Sequence, residues 1–272
     1  MRLKRLTALI ALPLMASCTG AYSSPLEMTF HAPDVAEQGA VSAADPRAQA
    51  AGEEILAKGG SATDAAIAVM LALTVVEPQS SGIGGGGFLL RGAPDGEVIS
   101  YDGRETAPAG ASPEWLLNED GSLPGFRESV ESGLSVGVPG NIRMAALAHN
   151  NHGKLSWAEL FEPAIKLARD GFGMNERMYN SLNQRPEFVA GTQSGRDLYY
   201  DSEGNVLPAG SWIKNESLAQ AFERIATQGP QAFYGAELGE EIVATVASAT
   251  PREGAMTTED LAGYEPKVRD AV

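Results

Sequence analysis

Twelve consecutive residues, Ala65 to Val76, carry no charge. A helix that is apolar on every side is buried on every side, so this segment predicts a helix at the centre of a layer, walled in by other elements. Ser61-Ala62-Thr63-Asp64 opens it with a cap and a carboxylate three residues on, and Glu77-Pro78 ends it. The stretch before it is equally well punctuated. Asp45 is an N-cap, Pro46 takes the first helical position, and Ala48, Ala51, Ile55 and Leu56 supply the apolar positions up to Gly59-Gly60.

Downstream, Phe88 to Arg91 and Glu97 to Tyr101 read as two strands joined by the turn Ala93-Pro94-Asp95-Gly96. Asn141 is expected to cap a short helix from Ile142 to Ala148. Ser156-Trp157-Ala158-Glu159 is a capping box for a helical region ending at Gly171, which Pro163 interrupts. A further helix starts near Ser217 and reaches Ile225, and Ala236 to Ala247 is amphipathic. Lys267 to Val272 alternates like a strand and stops without a turn or cap, so the chain reads as incomplete. With 43% hydrophobic and 20% charged residues there is material for a substantial core. The pattern predicts α/β or α+β with antiparallel pairing.

The 20 Lys+Arg face 35 Asp+Glu, a net charge of −15, and no basic stripe appears, which excludes a phosphate-tracking nucleic-acid binder. Arg2, Lys4 and Arg5 followed by the apolar run Leu6 to Met15 and small Ala16-Ser17 form an export signal over residues 1–17. The single cysteine, Cys18, follows directly. Met15-Ala16-Ser17-Cys18 resembles a bacterial lipobox with Met where Leu is usual, so lipidation at Cys18 is the expectation and a plain cleaved signal the alternative. Residues 18–37 read as a linker. The expected location is outside the cytoplasm, periplasmic, with membrane contact only through a lipid on Cys18.

Several motifs look chemical and fail on context. Gly82-Ile83-Gly84-Gly85-Gly86-Gly87 fits G-x-G-x-x-G, but a helix precedes it and a strand follows, the reverse of the order that seats a pyrophosphate on a helix N-terminus. It reads instead as backbone that must approach other backbone or a ligand. Gly133-Leu134-Ser135-Val136-Gly137 fits G-x-S-x-G, yet no acid lies between Ser135 and the later His149 and His152, and Ser135 reads as a strand residue. His31 falls in the linker. His149 and His152 have no carboxylate at ligand spacing and read as a solvated helix end, so no metal or cofactor is expected. Glu53-Glu54 and Glu240-Glu241 read as surface charge.

The ordered series of weak motifs is more telling. Gly59 to Ala66, Pro78-Gln79-Ser80-Ser81 with the glycines and Phe88, Tyr101-Asp102-Gly103-Arg104-Glu105-Thr106-Ala107-Pro108, Gly137 to Gly140, Trp157 with Pro163-Ala164-Ile165, Ala232 to Gly235 and Thr258 to Leu261 come in a fixed order. In that order they resemble the N-terminal part of the γ-glutamyltransferase (glutathione hydrolase) family of N-terminal-nucleophile hydrolases, over residues 38–272. The resemblance implies an αββα four-layer sandwich, incomplete in this chain, from a precursor that cuts itself into two subunits. The new N-terminal Thr then serves as nucleophile and, through its amine, as base.

By the same resemblance, Arg104 of R-E-x-A-P holds the α-carboxylate of a γ-glutamyl substrate such as glutathione, because a planar guanidinium meets a carboxylate with two parallel hydrogen bonds. Glu105 is expected to orient Arg104 or nearby backbone. No catalytic residue is expected in this chain: the Thr-Thr-His-type segment lies beyond the T-x-x-D-L motif, Thr257 and Thr258 read as helix-cap residues, and the nucleophile-bearing subunit is the implied partner. Two alternatives stand beside this reading, a non-catalytic γ-glutamyl-binding remnant and a relative acting on another acyl amide, as cephalosporin acylases do. Intact mass spectrometry of the mature native protein tests the lipobox: residues 18–272 plus the mass of attached lipid are expected, and an unmodified Cys18 or a start elsewhere refutes it.

Overall fold

The computed structural model describes residues 39–271. The export signal, Cys18, the 18–37 linker and His31 lie outside the described residues. Helix α1 (Pro46–Ala57) carries the Asp45 cap and Pro46 as expected. Helix α2 (Ala62–Val76) has a reciprocal capping box between Ser61 and Asp64, and its residues Ile67, Ala68, Leu71, Ala72 and Val76 are at most 1% exposed. The all-round burial expected of 65–76 is incomplete: Ala66 is exposed, and Val69, Met70 and Leu73 are partly buried.

After α2 come strands β1 (Phe88–Gly92) and β2 (Val98–Asp102), then α3 (Phe126–Glu131), α4 (Asn141–His152) and α5 (Glu162–Asp170). A short hairpin of β3 (Phe172–Gly173) and β4 (Trp212–Ile213) brackets α6 (Glu176–Gln184), α7 (Pro186–Ala190) and α8 (Gln193–Tyr199). Helices α9 (Glu216–Gln228), α10 (Gln231–Tyr234), α11 (Glu237–Ala247) and α12 (Thr258–Gly263) lead to the last strand, β5 (Lys267–Asp270). The main sheet is antiparallel in the order β1-β2-β5, with Leu89 opposite Tyr101 and Tyr101 opposite Val268.

One face of this sheet packs on helices: Tyr101 and Leu89 meet Met144 and Ala148 of α4 and Met70 of α2. The other face presents Phe88, Leu90 and Val98, all exposed. α2 therefore sits behind the sheet, and its C-terminal end feeds the glycine segment along the sheet's edge.

Several expectations need correction. The cap of α4 is Gly140, not Asn141, and the helix runs to His152. Asn141 instead sends its side-chain amide to the Gly82 carbonyl at 2.7 Å. Ser135 lies in a 3-10 turn, Gly133–Ser135, not a strand, and its hydroxyl donates to the Ser129 carbonyl. α9 is capped by Asn215 and ends at Gln228, so the Ser217 start and Ile225 end fall inside it. The region 156–171 behaves as expected, a 3-10 turn at Trp157–Phe161 followed by a fresh helix that starts at Glu162 with Pro163 in its first turn.

Buried charge is tied to backbone. Asp64, fully buried, accepts from the amides of Ser61 (2.8 Å), Lys154 (2.8 Å) and Leu155 (3.2 Å) and so joins α2 to the loop after α4. Asp45 takes the Arg47 side chain through Nε (2.7 Å) and Nη2 (2.5 Å), and Asn175 at 3.1 Å. Burial opposes its charge, but the hydrogen bonds from Arg47 outweigh it and hold the carboxyl below its usual range. Replacing Asp64 by Ala strands three amides and removes half of a capping box. The loss should be about 3 kcal/mol or more, read as a lower urea midpoint at unchanged slope; a change under about 1 kcal/mol would show that these contacts do not hold the two segments.

Candidate active-site cleft

The glycine segment leaves α2 and runs beside the loop that follows β2. The Gly87 amide donates to the Gly103 carbonyl (3.2 Å) and the Gly103 amide to the Gly87 carbonyl (2.9 Å), which prolongs the β1-β2 ladder by one pair. One residue earlier the approach is closer still. A Cβ on Gly86 would lie 2.4 Å from the Gly103 carbonyl oxygen, 2.6 Å from the Glu105 nitrogen and 2.8 Å from Arg104 Cα. These are main-chain atoms that cannot swing aside, so position 86 excludes every side chain. The reading of 82–87 as backbone packed on backbone holds here, and Phe88 opens a strand as the failed dinucleotide reading required.

Arg104 projects from this contact into a cleft of about 480 Å³ lined in part by Ser80, Ser81, Glu105, Asn141 and Met144. Its guanidinium gives Nη1 to the Gly86 carbonyl (3.1 Å) and sets Nη2 3.0 Å from Glu105 Oε2. The side chain stays 54% exposed. Glu105 Oε2 is buried and has no hydrogen bond among the described residues despite that contact. Glu105 thus lies beside the guanidinium, as expected, without saturating it.

The main chain of Arg104 is pinned from both sides. Its amide donates to Asp102 Oδ1 (3.0 Å), and its carbonyl accepts from the Tyr264 hydroxyl (2.8 Å). The Arg104 amide and then the Arg269 side chain, with Nε 2.7 Å from Asp102 Oδ2, hold the Asp102 carboxyl below its ordinary range. Tyr264 stacks on Tyr234 at 6.1 Å, Tyr234 donates to the Pro139 carbonyl (2.9 Å), and Arg143 lies 4.5 Å over the Tyr234 ring while donating to the Tyr264 carbonyl. Burial pushes both phenols up, so they remain neutral donors at physiological pH.

The α4 N-terminus closes the frame. The amides of Gly140 and Asn141 both donate to the Gly85 carbonyl, at 3.0 and 3.2 Å.

The remaining candidates lie elsewhere. His149 and His152 are half-buried and bonded, not a solvated helix end. His149 Nε2 reaches the Leu155 carbonyl at 2.9 Å, and His152 Nε2 meets the Tyr101 hydroxyl at 2.8 Å. Thr257 caps α12 in a box with Asp260, as expected, and Thr258 is the first residue of that helix. Glu53, Glu54, Glu240 and Glu241 are exposed. Sequence reasoning missed Asp102, Asn141 and Tyr264. Of these only Tyr264 had a usable signal, a place three residues past Thr258-Glu259-Asp260-Leu261.

A sequence profile described as Gamma-glutamyltranspeptidase matches residues 48–272. The chain belongs to that family. It is 40% identical over 237 residues to glutathione hydrolase 3 of Arabidopsis thaliana, covering 87% of this chain and 36% of that protein. It is 35% identical over 272 residues to the glutathione hydrolase proenzyme of Escherichia coli strain K12, covering 97% of this chain and 46% of that one. The gamma-glutamyltranspeptidase of Helicobacter pylori superposes with a TM-score of 0.81 at 31% identity, over 86% of this chain and 66% of the other. The chain spans less than half the length of these two curated relatives. Its fold is the α/β type of the N-terminal-nucleophile hydrolases.

Within the gamma-glutamyltranspeptidase fold, Gly86 is the position that sets how close the Arg104 turn can lie. Gly86→Ala should cost about 1–3 kcal/mol, the range for overpacking, measured by urea unfolding. A variant as stable as the wild type would show that the turn moves freely.

Proposed function

We propose that this chain is the substrate-binding portion of an exported γ-glutamyltransferase or glutathione hydrolase, and that Arg104 receives the α-carboxylate of the γ-glutamyl group. The observation that carries this reading is the guanidinium itself. One of its five N–H groups is donated to Gly86 and Nη2 lies 3.0 Å from Glu105 Oε2, while the guanidinium otherwise has no hydrogen-bond partner among the described residues and lines the cleft. Its main chain, by contrast, is fixed through Asp102 and Tyr264. A flexible side chain on a fixed stem suits recognition of a planar anion.

The chemistry follows from that anchor. Holding the α-carboxylate at one end places the γ-amide carbon at a set distance along the substrate, which converts a loose encounter into an oriented one. The attacking hydroxyl belongs to an N-terminal Thr supplied by a nucleophile-bearing segment. Its own α-amine accepts the hydroxyl proton, the C–N bond of the amide breaks, and that proton leaves with the departing amine. Water or an amino acid then takes the γ-glutamyl group from the Thr ester. Family membership and the R-E-x-A-P sequence at the cleft both support this reading. Export with a lipid on Cys18 belongs to the same proposal, resting on residues 1–18 of the sequence.

Arg104→Ala, in protein joined to the nucleophile-bearing segment, should lower kcat/KM for γ-glutamyl substrates by ~2–5 kcal/mol of transition-state binding. Arg104→Lys should recover little, since a point charge cannot reproduce the paired donors. Unchanged kinetics in the Ala variant would remove the assignment.

A further inference from the structure

Glu77 is a buried carboxylate at the end of α2, 2% exposed, and it is heavily bonded. Asn175 donates to its Oε1 (2.8 Å), and Gln79 (2.7 Å) and Arg177 Nη1 (2.9 Å) approach its Oε2. Its backbone carbonyl accepts from the amides of Ser80 (2.9 Å) and Ser81 (3.0 Å). The same Arg177 extends its second amino group, Nη2, to Ser80 Oγ at 3.1 Å. A buried charge thus fixes a guanidinium, and the guanidinium fixes a hydroxyl that borders the Arg104 cleft.

The direction of that last bond matters. Arg has no acceptor, so Ser80 Oγ must accept from it, and the hydroxyl proton is left over. It has no acceptor among the described residues. A charged donor on the oxygen also polarises the O–H and makes it a better donor in turn. We propose that Ser80 is a second ligand-binding residue of this cleft, a hydroxyl donor to a carbonyl or carboxylate oxygen in the leaving part of a γ-glutamyl peptide, with Arg177 as its positioning residue. The inference rests on the function proposed above. Arg104 takes the glutamyl end, and the same cleft of about 480 Å³ is also lined by Ser80 and Ser81.

The test uses protein assembled with the nucleophile-bearing segment and two substrates. Glutathione has peptide and carboxylate oxygens beyond the scissile amide, and γ-glutamyl anilide has none. Ser80→Ala should raise KM for glutathione about tenfold, the scale of one hydrogen bond to a charged or polarised group, and leave KM for the anilide within about twofold. Ser80→Thr should restore glutathione binding. Arg177→Ala should reproduce the selective rise, and the double variant should add nothing to Ser80→Ala alone. General loosening of the cleft moves both substrates together, so equal rises, or no rise with glutathione, overturn the Ser80 assignment. Wild-type assembly that turns over neither substrate overturns the underlying function instead.

Discussion

The packing of the glycine segment against the turn at 103–105 is the contact on which the cleft depends. Main chain lies against main chain at Gly86, and a second close approach occurs at Gly140, where a Cβ would fall 2.1 Å from both the Gly103 carbonyl and the Tyr264 hydroxyl. Three segments distant in sequence therefore share one small volume, and the absence of side chains lets their polar groups pair directly. Arg104 gains its placement from this crowding: the carbonyl of Gly86 and the hydroxyl of Tyr264 reach it because nothing intervenes. The cost of ordering glycines is offset by hydrogen bonds that longer residues would block.

Around that contact the protein uses buried carboxylates as joints. Asp64 binds backbone amides from two segments, Asp45 binds its neighbour Arg47, and Glu77 gathers Asn175, Gln79 and Arg177. Asn175 bridges Asp45 and Glu77 while its own Oδ1 caps α6 through the Met178 amide at 2.7 Å. A buried carboxylate is tolerable when it accepts several hydrogen bonds, as Asp64 does through Oδ2 alone, its Oδ1 having none among the described residues. These three sit at helix ends, where unpaired amides and fixed side chains are at hand. The framework ties the ends of α1, α2 and α6 together and leaves the glycine segment as the link between helices and cleft.

Much of this was legible in the residues. The charge-free α2, the Asp45-Pro46 and Ser61-Asp64 caps, the hairpin at 88–102 and the Pro163 restart each rest on a local signal that tertiary structure did not override. Helices α6, α7 and α8 went unread although Asn175, Pro186 and Thr192 mark their starts, because each is short; α6 is held to the end of α2 through Asn175 and Arg177. Asn141 misled because an Asn before an apolar helix usually caps it; here the Gly82 carbonyl, 59 residues away, takes its amide. His149 and His152 misled for a related reason, since a helix one turn longer than expected carries them under the sheet and against Leu155. In the cleft, Arg104 was found through its motif. Tyr264 and Arg269 were not, because the bonds they make span more than 150 residues.

That separation bears on the order in which the parts of the fold can assemble. The turn bearing Arg104 emerges early, but the hydroxyl that secures its carbonyl and the strand that closes its sheet come 160 or more residues later. Until then the hairpin has its own ladder and the packing of Tyr101 and Leu89 on α4 and α2, and a hairpin without a third strand is marginal in water unless something packs on it. Binding geometry is thus among the last features to set, while the α1-α2 pair, built from neighbours in sequence, is free to form first. The recognition surface is complete only once Tyr264 and strand β5 have joined the hairpin.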